Sequence, residues 1–135
     1  MEISHFDDLV QAARTQPDPQ RLLFVFAGVE LPDDATPEQR ERFERQEGGA
    51  LVPRMSVDKT PAEITSFDAL VHEANQFGHE WTLVFAAALG GKAGKEPTSQ
   101  DAETPLDDMV EAIKRGAHGN LIPFDKGGHA VRIDE

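Results

Sequence analysis

Two periods run through the chain. Phe6, Leu9, Val10 and Ala13 fall at i, i+3, i+4 and i+7, which is one face of a helix. Ser4 stands where an N-cap would stand, Asp7 suits the first turn, and Pro17 and Pro19 close the helix. Phe67, Leu70, Val71 and Ala74 repeat the spacing, with Thr65 or Ser66 as the cap and Gly78 as the stop. The runs Arg21-Leu22-Leu23-Phe24-Val25-Phe26-Ala27-Gly28 and Trp81-Thr82-Leu83-Val84-Phe85-Ala86-Ala87-Ala88-Leu89 have no helical period. They are too continuously apolar for strands with one wet face, so both are predicted as central strands covered on both sides.

The other segments are more polar. Thr36-Pro37-Glu38-Gln39 has the cap, the first-turn proline and the third-position glutamine of a helix start. The helix it opens, Pro37–Gln46, is almost all charge and should lie on the surface, anchored by Phe43 and ended by Gly48-Gly49. Glu38/Arg42 and Glu41/Arg45 sit at i, i+4 in it. Leu51–Val57 reads as a strand in which Pro53 marks an edge or a bulge. Gly90–Glu103 is the longest stretch without a pattern. Thr104-Pro105 then predicts a fourth helix with Leu106, Met109, Val110 and Ile113 inward and Gly116 at its end. Asn120–Asp125 and His129–Ile133 read as two strands joined by a turn at Lys126-Gly127-Gly128.

Set against itself at an offset of 61, the chain matches at Phe6/Phe67, Asp7/Asp68, Leu9/Leu70, Val10/Val71, Ala13/Ala74, Leu22/Leu83, Phe24/Phe85 and Ala27/Ala88. Chance would supply about one or two such identities over that span. Thr36-Pro37 answers Thr104-Pro105, and Gly49-x-Leu51-Val52-Pro53 answers Gly119-x-Leu121-Ile122-Pro123. These matches predict an internal duplication of a helix–strand–helix–strand unit with a pseudo-twofold axis, the halves being about 1–60 and 61–135. The expected fold is α/β (or α+β): one domain over 1–135, four helices, and a mixed sheet of about five strands. The mixed sheet follows because strand–helix–strand units favour parallel pairs and a terminal hairpin adds an antiparallel one.

Composition changes this picture mainly by exclusion. The 135 residues suit a single domain. A net charge of −12, without a basic patch, argues against nucleic acid as partner. No cysteine is present, which removes thiolate nucleophiles, iron–sulfur ligation and cysteine zinc sites. The start Met1–Asp8 has no basic-then-apolar leader pattern, and no apolar run reaches the roughly 18 residues of a membrane span. A cytoplasmic chain without membrane contact is expected.

Candidate chemistry lies where the two halves differ, past the ends of the central strands. The first half has Glu30, Asp33 and Asp34 there; the second has Gly90, Gly91, Lys92, Gly94 and Lys95. A glycine loop with two lysines could hold a phosphate or a nucleotide. It is no Walker loop, since Leu89 stands at the first glycine position and Glu96 follows Lys95. His72-Glu73 lacks the second histidine of an HExxH motif, with His79 arriving seven residues on, so no metal site and no cofactor are predicted. No Gly-x-Ser-x-Gly elbow occurs, and no catalytic residue is assigned.

The strings Ser4-His5-Phe6-Asp7-Asp8-Leu9-Val10-Gln11-Ala12-Ala13, Leu22-Leu23-Phe24-Val25-Phe26-Ala27-Gly28 and Leu51-Val52-Pro53 resemble a family of short, uncharacterised proteobacterial proteins. Some of its members carry the label "ribonucleotide reductase subunit alpha". The resemblance implies a small bacterial protein and carries no site residue with it. A reductase large subunit works through cysteines, which this chain lacks. The residues together point to a small non-catalytic domain that binds a partner protein or forms a homodimer. The alternative is an anion binder or enzyme using the 90–95 loop.

Overall fold

The computed structural model describes residues 3–31, 34–45, 50–78 and 80–132. Asp33, His79, Gln46, Gly48, Gly49 and Ile133, which figured in the expectations above, lie outside the described residues, as does the side chain of Phe43. Among the described residues, four helices and four strands alternate along the chain. They are α1 Phe6–Arg14, β1 Gln20–Glu30, α2 Pro37–Glu44, β2 Ala50–Lys59, α3 Phe67–Asn75, β3 Leu83–Gly90, α4 Ser99–Lys114 and β4 Ile122–Phe124. A single 3₁₀ turn, Pro61–Glu63, precedes α3.

The helix starts follow local hydrogen bonding. His5 caps α1, its Nδ1 accepting from the Asp7 amide at 3.2 Å. Asp8 reaches back to accept from the amides of Ser4 and His5 at 3.1 and 3.0 Å. The cap is therefore one residue beyond the serine that the sequence favoured. Ser66 caps α3, and the Thr36/Gln39 pair forms reciprocal bonds of 2.9 and 3.2 Å at the start of α2.

The sheet order is β2-β1-β3-β4, and every neighbouring pair is antiparallel. The mixed sheet of about five strands expected from the sequence is thus a four-stranded antiparallel one. The physical reason is visible between β1 and β2. A parallel partner would need a connection that travels back the length of β1, roughly 36 Å for its eleven residues. The segment that holds α2 instead joins Glu30 to its register partner Ala50 on the neighbouring strand, so the chain returns beside β1 in the opposite sense. Parallel strands do occur, but as next-nearest neighbours: β2 and β3 lie on either side of β1. The fifth expected strand is reduced to isolated bridges, Phe124 with Ala130 and His5 with His129.

Both faces of the sheet are covered. On one, Leu22, Phe24, Phe26, Val84 and Ala86 pack with Phe6, Leu9, Val10 and Ala13 of α1 and Phe67, Leu70 and Ala74 of α3. Trp81 joins this layer, 4% exposed, with its ring edge-on to Phe26 and its indole N–H donating to Asn75 at 3.1 Å. On the other, Leu23, Val25, Ala27 and Phe85 pack with Ala102, Met109 and Ile113 of α4. Every residue from Leu22 to Ala27 is buried, as the uninterrupted apolar run predicts.

The pleat decides which repeat matches are spatial ones. Phe6/Phe67, Leu9/Leu70 and Ala13/Ala74 serve the same core layer. Leu22/Leu83 and Phe24/Phe85 do not: Leu22 and Phe24 enter one layer, Leu83 and Phe85 the other. In a strand, a shift of one residue turns a side chain to the opposite face. The strand identities at offset 61 are therefore not positional equivalents; an offset of one more or one fewer restores the parity. Pro53 and Pro123 also differ in place, lying opposite Ala27 and Phe85 respectively.

Pro53 does mark both an edge and a bulge. β2 is an edge strand, and its register slips between Phe26 and Ala27, opposite Met55 and Pro53. The fourth helix begins at Ser99 rather than at Thr104-Pro105. Thr98 and Asp101 form a capping box, with bonds of 2.9 and 3.1 Å, and Pro105 is carried inside the helix.

Candidate functional site

The antiparallel sheet separates the residues singled out from the sequence. Gly90 pairs with Gln20 at one end of β1, while Glu30 lies at the other. Ten residue steps separate Gln20 from Glu30, roughly 33 Å. The acidic and basic segments therefore cannot pair within the domain. Glu30 bonds Arg54 at 2.5 Å instead. Asp34 sits in an exposed turn. Gly28 allows this arrangement, because a Cβ there would lie 2.9 Å from Arg54 Nε. That Nε is buried and has no hydrogen-bond partner.

Past Gly90 the chain forms a small hairpin. Lys92 and Lys95 pair across it, with backbone bonds of 3.2 and 2.9 Å. Ala93 (φ 53°) and Gly94 (φ 75°) supply the two positive-φ positions that a two-residue hairpin loop requires. The Gly91 amide donates to the Pro19 carbonyl at 2.8 Å. The amides of residues 91, 92 and 95 thus bond backbone carbonyls and do not point at a ligand. The adjoining groove, about 480 Å³, is lined by Lys92 and Lys95 but also by Glu96 and Asp101. Two lysines and two acids thus share the lining, with Glu96 paired to Arg21 at 3.7 Å and Asp101 accepting from the Thr98 amide. Asp101 also occupies the start of α4, where an anion would otherwise find free amides.

One polar cluster escaped the sequence reading. Arg21, its side chain 11% exposed, donates from Nε to Asp58 at 2.6 Å, from Nη2 to the Ser99 hydroxyl at 2.7 Å and from Nη1 to the Pro97 carbonyl at 3.3 Å, with Glu96 3.7 Å from Nη1. Ser99 donates on to Asp58 at 2.7 Å. Partial burial pushes the Asp58 carboxyl upward, but the hydrogen bonds from Ser99 and Arg21 outweigh it and hold it below the usual aspartate value. The cluster ties β1, β2 and the start of α4 together. The Ser99 hydroxyl both donates to Asp58 and accepts from Arg21, so the cluster acts as a clamp. No sequence spacing joins residues 21, 58 and 99.

Among the described residues no group of three or more His, Asp or Glu side chains could hold a metal ion. His5 and His129 stack edge to face, 5.2 Å between centroids, where the two ends of the domain meet. His118 is buried beside Phe85.

A different surface is open. β4 pairs with β3 only from Val84 to Ala86, whereas β1 pairs with β3 as far as Gly90. Gly91 bonds Pro19 across the β1 side, so odd-numbered residues of β3 point their backbone groups toward β1 and even-numbered ones outward. Val84 and Ala86 meet β4; Ala88 and Gly90, both exposed, have no strand beside them. Next to this unpaired edge runs a groove of about 350 Å³ between α1 and β3. Its floor is Leu9, Ala12, Ala86, Ala88 and Ile122, and its polar rim is Gln16, Gln20 and Asn120. No ionisable side chain lines it.

The fold and surface define an α/β domain with a four-stranded antiparallel sheet between helices and an open sheet edge beside an apolar groove. Compared with known proteins, the chain matches no family model, no curated protein and no solved structure. The family resemblance therefore rests on its quoted strings alone.

Proposed function

We propose that the protein is a small non-catalytic interaction domain that receives an extended segment of another protein along the open edge of β3. The observation that carries this is the unpaired stretch Ala88–Gly90 beside a groove without charges. Main-chain bonds to Ala88 and Gly90 would supply affinity, and the groove would take alternate small apolar side chains. The chain's net charge of −12 favours a segment with basic flanks. Against the anion-binding alternative stand the hairpin amides already bonded and the carboxylates beside Lys92 and Lys95.

The test is an amide NMR titration of the labelled protein. One arm uses a peptide alternating valine and serine between terminal lysines; the other uses a panel of nucleotides and sugar phosphates. Shifts at Ala86, Ala88, Gly90 and Ile122 with the peptide, lost in Ala88→Pro, support the proposal. Shifts confined to Lys92 and Lys95 with the phosphates would transfer the function to the hairpin.

We also infer that the two α–β–α–β halves descend from one duplicated unit. The element order supports it, as does the sheet order, with both first strands central and both second strands at the edges. The unit then carries a one-residue length change between helix and strand in one half. Superposing the halves tests this: helices and strands that failed to overlay after that shift would remove the support.

A further inference from the structure

The two ends of the domain close on one another around a pair of histidines. The Phe6 amide donates to the Gly128 carbonyl at 2.7 Å, and the Ala130 amide to the Ser4 carbonyl at 2.8 Å. Between these bonds His5 and His129 face each other, their ring centroids 5.2 Å apart. On its far side the same C-terminal segment is tied to the end of β4. The Asp125 amide donates to the His129 carbonyl at 2.9 Å, and the Val131 amide to the Pro123 carbonyl at 3.0 Å. Residues 3–5 are thus a strap held to β4 through residues 128–131. The strap places Ile3 in the wall of the groove between α1 and β3, which Ile122 of β4 also lines. Ile3, Ile122 and Ala130 all pack against the Phe6 layer.

His5 caps α1 in a way that only a neutral ring permits. Its Nδ1 accepts from the Asp7 amide at 3.2 Å. An imidazolium carries a proton on both nitrogens and accepts nothing, so protonation of His5 ends that bond. His129 lies beside it and is exposed, and two protonated rings at this separation repel one another. Among the described residues, the charged groups that adjoin the pair do not replace what is lost. Asp7 Oδ2 stands 3.6 Å from Nδ1, but its side chain is 78% exposed. Water screens such a contact, and it returns less than a cap bond supplies. Asp8 already accepts from the amides of Ser4 and His5, and Asp125 from those of Gly127 and His129. Lys126 stands over the Trp81 ring. From α3 the uncharged ring of Phe67 lies against Gly128.

We propose that the His5–His129 pair is a pH-sensitive latch on the groove. At neutral pH the strap is closed. In acid, protonation of the pair releases residues 3–5 from 128–130 and withdraws Ile3 from the groove. Its use in controlling segment binding rests on the interaction reading of that groove, but the latch itself does not.

Amide exchange and isoleucine methyl spectra of the full chain, without peptide, from about pH 8 to about pH 5 test it. Protection at Phe6 and Ala130, corrected for intrinsic exchange rates, is expected to fall about tenfold or more relative to Leu22–Ala27. The Ile3 and Ile122 methyl signals should move with it. His72 and His118 carry imidazoles too, so substitution assigns the effect. His5→Asn supplies a capping oxygen that does not titrate, and should keep both the protection and the Ile3 signal constant down to pH 5. His129→Gln should shrink the response by removing the repulsion. Protection at Phe6 and Ala130 that does not change with pH overturns the proposal. So does a response that persists in full in His5→Asn. Adding the valine–serine peptide at both pH values separates the two ideas: no binding at either would remove the interaction reading and leave the latch result standing.

Discussion

At the scale of single residues, close approach and partial burial decide most outcomes. Gly91 packs so tightly that a Cβ would collide with the Lys95 carbonyl oxygen and stand 3.0 Å from that of Pro19. Both neighbours are backbone and cannot swing away. Gly91→Ala is therefore expected to cost about 1–3 kcal/mol, read from the urea midpoint, and to shift the amides of Lys92 and Lys95. Asp58 has its folded pKa depressed by Ser99 and Arg21. Its contribution is present above the unfolded aspartate value of about 3.9 and is lost as pH falls through the lower folded value. Asp8 and Glu63 are lowered as well, by hydrogen bonds from Ser4 and His5 and from Thr60, and act in the same window. Asp58→Asn should lower stability near pH 7 by about 2 kcal/mol and flatten the acid limb below about pH 4. An unchanged limb would show that Asp58 is not a source of it. Asp58 did not stand out in the sequence, because a lone aspartate reveals nothing of what the fold brings against it; Gly91 did, but as part of an anion loop and not as a close approach of backbone.

At the scale of elements, caps and periods were the legible part. The Thr36/Gln39 reciprocity, the Ser66 cap and the edge-and-bulge role of Pro53 follow from local chemistry and occur as expected. The start of α4 does not. Thr104-Pro105 looked like a helix opening, but Thr98-x-x-Asp101 caps the chain earlier and Pro105 falls inside. A proline there removes one backbone bond, to the Asp101 carbonyl, and crowds that turn. Pro105→Ala should therefore stabilise the protein by about 1–3 kcal/mol, seen as a higher melting temperature. A helix that truly began at residue 104 would instead lose stability on this change. Local signals could not rank the two openings, since both satisfy the capping rules; in the fold the first is also tied to β1 and β2 through Ser99.

At the scale of the molecule, the core layers knit the halves together. The layer under α1 and α3 draws on Leu22, Phe24 and Phe26 from one half and on Phe67, Leu70 and Val84 from the other. Fragments 1–60 and 61–135 should each be largely unfolded alone by circular dichroism and regain β structure when mixed. Two independently folded fragments would contradict the shared core. Hydrogen exchange in the intact chain should be slowest at Leu22–Ala27, which is paired on both sides and buried on both faces. It should be fastest in α2, where every described side chain is exposed.

The apolar runs and helical periods by themselves determined the central strands, the two helices that cover one face, and the polar character of α2. Those are properties of a segment and its solvent, so they are written in nearest neighbours along the chain. Strand direction, the parity of the repeat and the separation of Glu30 from Gly90 were decided only by the tertiary structure. Each depends on how far a connection can reach and on which way a pleat turns, and those quantities are set between segments. The open edge at Ala88 and Gly90 belongs to the same class. It exists because β4 stops at Ile122 while β1 continues, a mismatch that no residue of β3 displays on its own.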